Sequence, residues 1–224
     1  MLFRSDSYAT GAQNHQSKTE GDWSTRVSNA IRAYYEWMPI REQTPQIQAY
    51  RSFNFGDVLS LHMLETRLIA RDEQLTYVNA VSSADIAAIA KEAYSGNRTM
   101  IGDQQLAWLG HGLATSKAAW QALGSGTLMA NMAIPAELLL NSSNPAVVAK
   151  YAEPLQKLAQ GIGLTAEERS LFDESRKIPY NLDAWDGYGA EREHILDAAL
   201  ALGKKIVSLA GDTHNAWGSV LDSS

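Results

Sequence analysis

The sequence predicts an α/β protein with a mixed sheet, and three observations carry that reading. Helix-period and strand-period segments alternate along the chain without an internal repeat. The composition is globular, with 45% hydrophobic and 20% charged residues in 224. Near the C-terminus, Lys205-Ile206-Val207-Ser208-Leu209-Ala210 is an apolar run rich in β-branched residues that reads as a buried strand, released by Gly211 into a polar tip.

The elements follow in order. The first two dozen residues are polar and aperiodic and read as loop. Asp22 then caps a helix in which Trp23, Val27, Ala30, Ile31, Tyr34 and Met38 recur at helical spacing. Pro39 ends it, because the residue before a proline is pushed out of the α region. Residues 50–57 alternate as a strand, 58–64 form a second, more apolar one, and Gly56-Asp57 joins them as a hairpin. Residues 83–94 read as a helix capped by Ser83, and 103–113 as another with Leu106, Leu109 and Leu113 on one side. From Trp120 through Ala130 we expect a strand broken by a small-residue bulge. Residues 136–163 read as short helices or a surface insertion, and Thr165 opens a charged helix running to roughly Arg176. A helix over about 190–203 turns Ile195, Leu196, Ala199, Leu200 and Leu202 toward a core, and the strand at 205–210 follows.

Size and charge exclude several classes of function. A chain of 224 residues is one large domain or part of a larger one. The net charge of −6 provides no basic surface for nucleic acid or for an anionic membrane. With no cysteine, the chain has no disulfide, no Cys-ligated metal and no thiol nucleophile. No apolar stretch is long enough to span a bilayer, and Met1-Leu2-Phe3-Arg4-Ser5-Asp6 does not read as a signal peptide. A G-x-S-x-G elbow, a phosphate-binding G-x-x-x-x-G-K-[ST] loop and a G-x-G-x-x-G fingerprint are all absent.

The chemistry-bearing residues gather at strand ends. Asp212 and His214 stand two apart, so an extended backbone turns both to one side, where a carboxylate and an imidazole make half of a metal site. The bland alternative has Asp212 capping a turn and His214 bonded within a surface loop. Asn215 offers a neutral oxygen or simply makes the turn. Glu65-Thr66-Arg67 follows the second strand, where α/β proteins collect polar residues; Arg67 and Arg71 are candidate anion ligands, or else members of an ion pair with Glu65. His62, inside an apolar strand, reads as a satisfied core or edge histidine, and His15, His111 and His194 read as surface residues. Asp183-Ala184-Trp185-Asp186-Gly187-Tyr188 either lines a pocket mouth or is a helix start with two buried aromatic anchors. Glu191 and Arg192 read as a first-turn carboxylate and a solvated charge.

Taken in series, several segments resemble the alkaline phosphatase D (PhoD-like) family of metallophosphatases. They are Gly21-Asp22-Trp23 with Ala33-Tyr34-Tyr35-Glu36-Trp37-Met38-Pro39-Ile40-Arg41, Arg51-Ser52-Phe53 with Phe55-Gly56-Asp57, and Leu64-Glu65-Thr66-Arg67. Gly102-x-x-Gln105-x-x-Trp108-Leu109, Trp120 with Leu128-Met129, Trp185-Asp186-Gly187-Tyr188 with Glu191-Arg192, and Gly211-Asp212-Thr213-His214-Asn215-Ala216-Trp217 complete the series. The resemblance implies a calcineurin-like metallophosphoesterase sandwich, two packed sheets flanked by helices, incomplete in this chain. It implies hydrolysis of small-molecule phosphate mono- and diesters at a site holding calcium and iron, where the metals polarise phosphoryl oxygens and lower the pKa of a bound water. Asp212 and His214 match the family's late metal-site motif, with Asn215 a weaker match; His214 and Arg67 are the residues carried over as catalytic. It also implies a periplasmic or secreted parent protein.

The departures from the family pattern are specific. The family's Asp-Asp-His-Glu run should precede the Gly11-Ala12-Gln13-Asn14-His15 region, and Met1 falls just after its place. A cysteine that some members use as an iron ligand has no counterpart. We therefore expect residues 1–224 to be a partial metallophosphatase domain, cut at both ends. One reading makes the parent a phosphatase or phosphodiesterase. The other makes this chain a non-catalytic fragment that binds metal weakly and self-associates through exposed sheet edges.

Overall fold

The computed structural model describes residues 7–41, 49–80, 82–211 and 216–221. A short hairpin, β1 (Ser7–Tyr8) and β2 (Gly11–Ala12), leads through α1 (Ser17–Glu20) into α2 (Trp23–Trp37). Asp22 caps α2 as expected, its carboxylate accepting the Thr25 N–H, and the helix stops before Pro39. Val27 and Ile31 are its buried residues and pack against Leu68.

The centre of the fold is a four-stranded mixed sheet. Strands β3 (Arg51–Phe55) and β4 (Leu59–Met63) form the expected antiparallel hairpin; β4 then pairs in parallel with β5 (Trp120–Ser125), and β5 with β8 (Lys205–Ala210). The two parallel steps are crossovers. The first passes through α3 (Ser83–Ala93) and α4 (Gly102–Thr115); the second ends in α8 (Gly189–Ala201). Between β5 and α8 lie the small ribbon of β6 (Ala133–Pro135) and β7 (Lys177–Pro179) and three further helices, α5 (Ala136–Leu140), α6 (Pro145–Ala159) and α7 (Ala166–Ser170).

Strand alternation gives the main sheet two different faces. Ser52, His62, Gln121, Leu123 and Ile206 share the face covered by α4 and α8; Leu123 and Ile206 pack there with Leu109, Leu113, Ile195, Leu196 and Ala199. The opposite face carries Phe53, Phe55, Leu61, Met63, Trp120, Val207 and Leu209, and these remain partly or largely exposed, Leu209 at 58%. An apolar sheet face normally lies against a second layer, which is where the resemblance places its second sheet.

Several expectations need correction. The strand at 205–210 is an edge, half open to solvent, since among the described residues only β5 pairs with it and one of its faces is uncovered. A β-branched run suggests burial but cannot report how many neighbours a strand has. The strand from Trp120 ends at Ser125 rather than continuing through a bulge to Ala130. Ser82, not Ser83, caps α3, in a reciprocal box with Asp85. The charged helix after Thr165 breaks at Ser170, and a 3₁₀ turn at Glu174–Arg176 replaces its second half.

Candidate active site

The parallel strands β4, β5 and β8 point their C-terminal ends the same way, and a cavity of about 500 Å³ opens beyond them. The loop after β4 supplies Leu64 through Ile69, and the first residues past β5 and β8 are Gly126 and Gly211, while Tyr34 and Tyr35 of α2 wall the far side. Such a crevice outside the carboxyl ends of parallel strands is where α/β sheets bind ligands.

Glu65 turns the chain at this mouth. Its carboxylate accepts the backbone N–H groups of Arg67, Leu68 and Ile69, at 2.9–3.0 Å. Gln105 of α4 clamps the same residue from behind: its Oε1 accepts the Glu65 N–H and its Nε2 donates to the Glu65 carbonyl, both at 2.8 Å. Burial pushes the Glu65 carboxyl above its usual range, against the opposing pull of the three N–H donors and of Arg67. Its two oxygens are thus engaged in holding the loop.

Arg67 borders the cavity but its guanidinium faces the other way, into a bidentate pair with Asp183 at 2.7 and 2.8 Å. Arg71 shares that carboxylate at 2.6 Å, bonds the Asp183 and Ser7 carbonyls, and lies over the Tyr188 ring. Burial pushes Asp183 up, but the two guanidiniums together outweigh it and hold the carboxyl below its ordinary value. The arginines thus find their partner 116 and 112 residues away rather than in Glu65. No local spacing signals this; the only hint in the sequence is that Asp183 opens the aromatic cluster.

That cluster supplies anchors. Trp185 and Tyr188 are fully buried, Trp185 donating its indole N–H to Ser125 at the end of β5 and Tyr188 its hydroxyl to the Asp72 carbonyl. Glu191 is a buried clasp that accepts from Thr99 Oγ1 and from the Met100 and Ile101 N–H groups ahead of α4. Arg192, expected in solvent, is 2% exposed and bonded to Glu193, because α8 turns it under the cluster toward Asp186. His15 is likewise no surface residue: its side chain packs on Trp23 between Arg26 and Glu20. His62 is the satisfied buried histidine that was expected.

Asp212, His214 and Asn215 lie outside the described residues. Their immediate predecessor Gly211 lines the cavity.

Over residues 3–224 the sequence matches the profile of the PhoD-like phosphatases. The chain belongs to the PhoD-like phosphatase family. A curated relative, alkaline phosphatase D of Bacillus subtilis (strain 168), is 28% identical over 201 residues, covering 88% of this chain and 27% of that protein. A solved structure titled "Structure of PhoD" superposes with a TM-score of 0.58 at 25% identity, covering 93% of this chain and 32% of that one. The chain thus spans about a quarter to a third of the length of these PhoD-like relatives. The mixed α/β fold is that of the family.

A calcium and iron centre can be tested against the donors at hand. Among the described residues no group of three or more His, Cys, Asp or Glu converges to hold a metal. Glu65 and Asp183 are committed to backbone N–H groups and arginines. Asp212, His214 and Asn215 offer one carboxylate, one imidazole and one amide oxygen, whereas calcium alone takes about six to eight oxygens. The donors among the described residues do not make up a calcium and iron centre.

Proposed function

We propose that the polypeptide to which this sequence belongs is a metal-dependent phosphatase acting on small phosphate mono- and diesters, and that the cavity beyond β4, β5 and β8 is its reaction site. One observation carries the reading: the strand end leading directly into Asp212, His214 and Asn215 opens into a cavity of about 500 Å³. Calcium and iron, and export of the parent protein, belong to the same reading and are supported by family likeness. The lack of a metal-holding group among the described residues favours a second reading for residues 1–224 on their own, a non-catalytic segment with weak metal affinity.

In the first reading Asp212 and His214 bind metal, Asn215 contributes an oxygen, and His214 serves the reacting phosphate. Arg67 acts by positioning: its pair with Asp183 fixes the loop that forms one wall of the cavity. Hydrolysis of bis-p-nitrophenyl phosphate by the purified chain with added calcium and iron separates the two readings. Turnover that Asp212→Ala abolishes supports a working site in this chain; a folded chain without turnover supports the non-catalytic one.

Self-association also belongs here, with a second copy of the chain as the occupant of the open sheet face. Phe53, Phe55 and Trp120 leave roughly half of their surface exposed, on the order of 100 Å² for each aromatic. With Met63, Val207 and Leu209 the patch reaches the size that marks interaction surfaces. Among the described strand residues this face carries two charges, Arg51 and Lys205, and the register sets them at opposite corners. A two-fold axis along or across the strands therefore keeps like charges apart.

A further inference from the structure

On the covered face of the sheet, Ser52, His62 and Gln121 lie side by side on three neighbouring strands, β3, β4 and β5. Every proton among them can be assigned. Gln121 donates from Nε2 to the Ala118 carbonyl and to Ser116 Oγ, both at 3.0 Å, which spends both amide hydrogens and fixes the amide orientation. Its Oε1 therefore faces His62 Nε2 at 3.3 Å as an acceptor, and that ring nitrogen must carry the hydrogen. Nδ1 is left with its lone pair, 2.8 Å from Ser52 Oγ, and receives the serine proton.

The surroundings keep the imidazole in this state. His62 is 2% exposed, and burial pushes its pKa below the ordinary histidine value, so it is a neutral base near pH 7. Helix α4 closes directly over it: a Cβ on Gly112 would stand 2.9 Å from the ring, and Trp108 meets it edge-on. Ser52, by contrast, is exposed at the solvent edge of the sheet, on a cleft of about 300 Å³ also lined by Asn54, Ser60 and Lys117.

We propose that Ser52 is a nucleophilic serine, with His62 as its base and Gln121 as the residue that sets the histidine tautomer, and that the cleft accepts small activated acyl or phosphonyl esters. The arrangement is the nucleophile, base and orienting group of covalent catalysis, and it is independent of the phosphatase reading. Ser52 Oγ attacks the acyl carbon or the phosphorus, forming the new O–C or O–P bond as its proton passes to His62 Nδ1. The bond to the leaving group breaks with its electron pair, and the imidazolium returns the proton to the departing alkoxide or, for a fluorophosphonate, to water as fluoride leaves. Lys117 places a cation in the same cleft for an anionic substituent.

The full chain is treated with a biotinylated fluorophosphonate at neutral pH, and the adduct is located by peptide mass spectrometry. We expect modification at Ser52, none there in Ser52→Ala, and labelling slowed ~10-fold or more in Gln121→Leu with its circular dichroism unchanged. Ser52→Cys gives a second readout that does not depend on a buried substitution, because the chain has no other thiol. An ordinary thiol of pKa ~8.5 is only about 1% thiolate at pH 6.5. Iodoacetamide should therefore alkylate Ser52→Cys at that pH ~10-fold or more faster than a Ser28→Cys control on the exposed side of α2. The proposal requires both signals. A wild-type chain unmodified at Ser52, or a Ser52→Cys thiol no faster than the control, overturns it and leaves Ser52 as the hydrogen-bond partner of a buried ring.

Discussion

Asp186 is an acid buried at a cost, and replacing it by asparagine tests how that cost depends on pH. The side chain is fully buried. One carboxylate oxygen accepts the Met132 N–H at 3.0 Å; among the described residues the other has no hydrogen bond, with Arg192 3.6 Å away. Arg192 is itself turned to Glu193, so it attracts Asp186 without bonding it. Desolvation outweighs both the Met132 N–H and Arg192 and raises the carboxyl from 3.8 to about 6. The folded state therefore holds this proton more tightly than the unfolded chain does. The resulting stability is fully present below pH 3.8 and is lost as the pH rises through about 6. A shift of about two units is worth about 3 kcal/mol. Most of it, about 2 kcal/mol, falls between pH 4 and pH 8. Asp186→Asn keeps an acceptor for Met132 and removes the titration. Urea unfolding of both proteins at the two pH values should show the variant gaining about 2 kcal/mol on the wild type between pH 4 and pH 8. An equal stability difference at both values would refute the reasoning and show that Arg192 keeps the carboxylate ionised at ordinary cost.

Three further outcomes follow from the packing. Asp183→Ala strips the shared carboxylate from two buried arginines and should cost about 3–5 kcal/mol by urea denaturation. Gly102 has φ +74° and a Cβ there would overlap that of Ala70, so Gly102→Ala should destabilise by about 1–3 kcal/mol and lower the melting temperature. Val207→Lys with Phe53→Lys charges the open sheet face without touching the core, and should shift the chain from self-associated to monomeric in sedimentation velocity. Association unchanged in that double variant, but lost when a charge is placed on the outer edge of β8, would return the interface to the sheet edge.

Much of the local structure was legible. The helical spacing of Trp23, Val27 and Ile31, the Asp22 cap and the Pro39 stop defined α2 because each acts within a few residues. The hairpin of β3 and β4 was readable for the same reason: alternation and a Gly-Asp turn are short-range signals. The site was legible only as a place. Glu65, Arg67 and Gly211 were all expected at strand ends, and the fold brings them to one cavity.

What the sequence determined by itself is therefore the class, the order of the elements and the family, since composition, periodicity and motif order survive in one dimension. Only the tertiary structure decided what each polar residue does. It gave Glu65 to three backbone N–H groups rather than to an arginine, joined Arg67 and Arg71 to Asp183 across more than a hundred residues, and buried Arg192 beneath Asp186. Among the described residues it also made β8 an exposed edge and left one apolar face of the sheet open. The physical reason is the same in each case. A charge or a strand is satisfied by whatever the crossovers bring beside it, and a residue's own sequence neighbours carry no record of those partners.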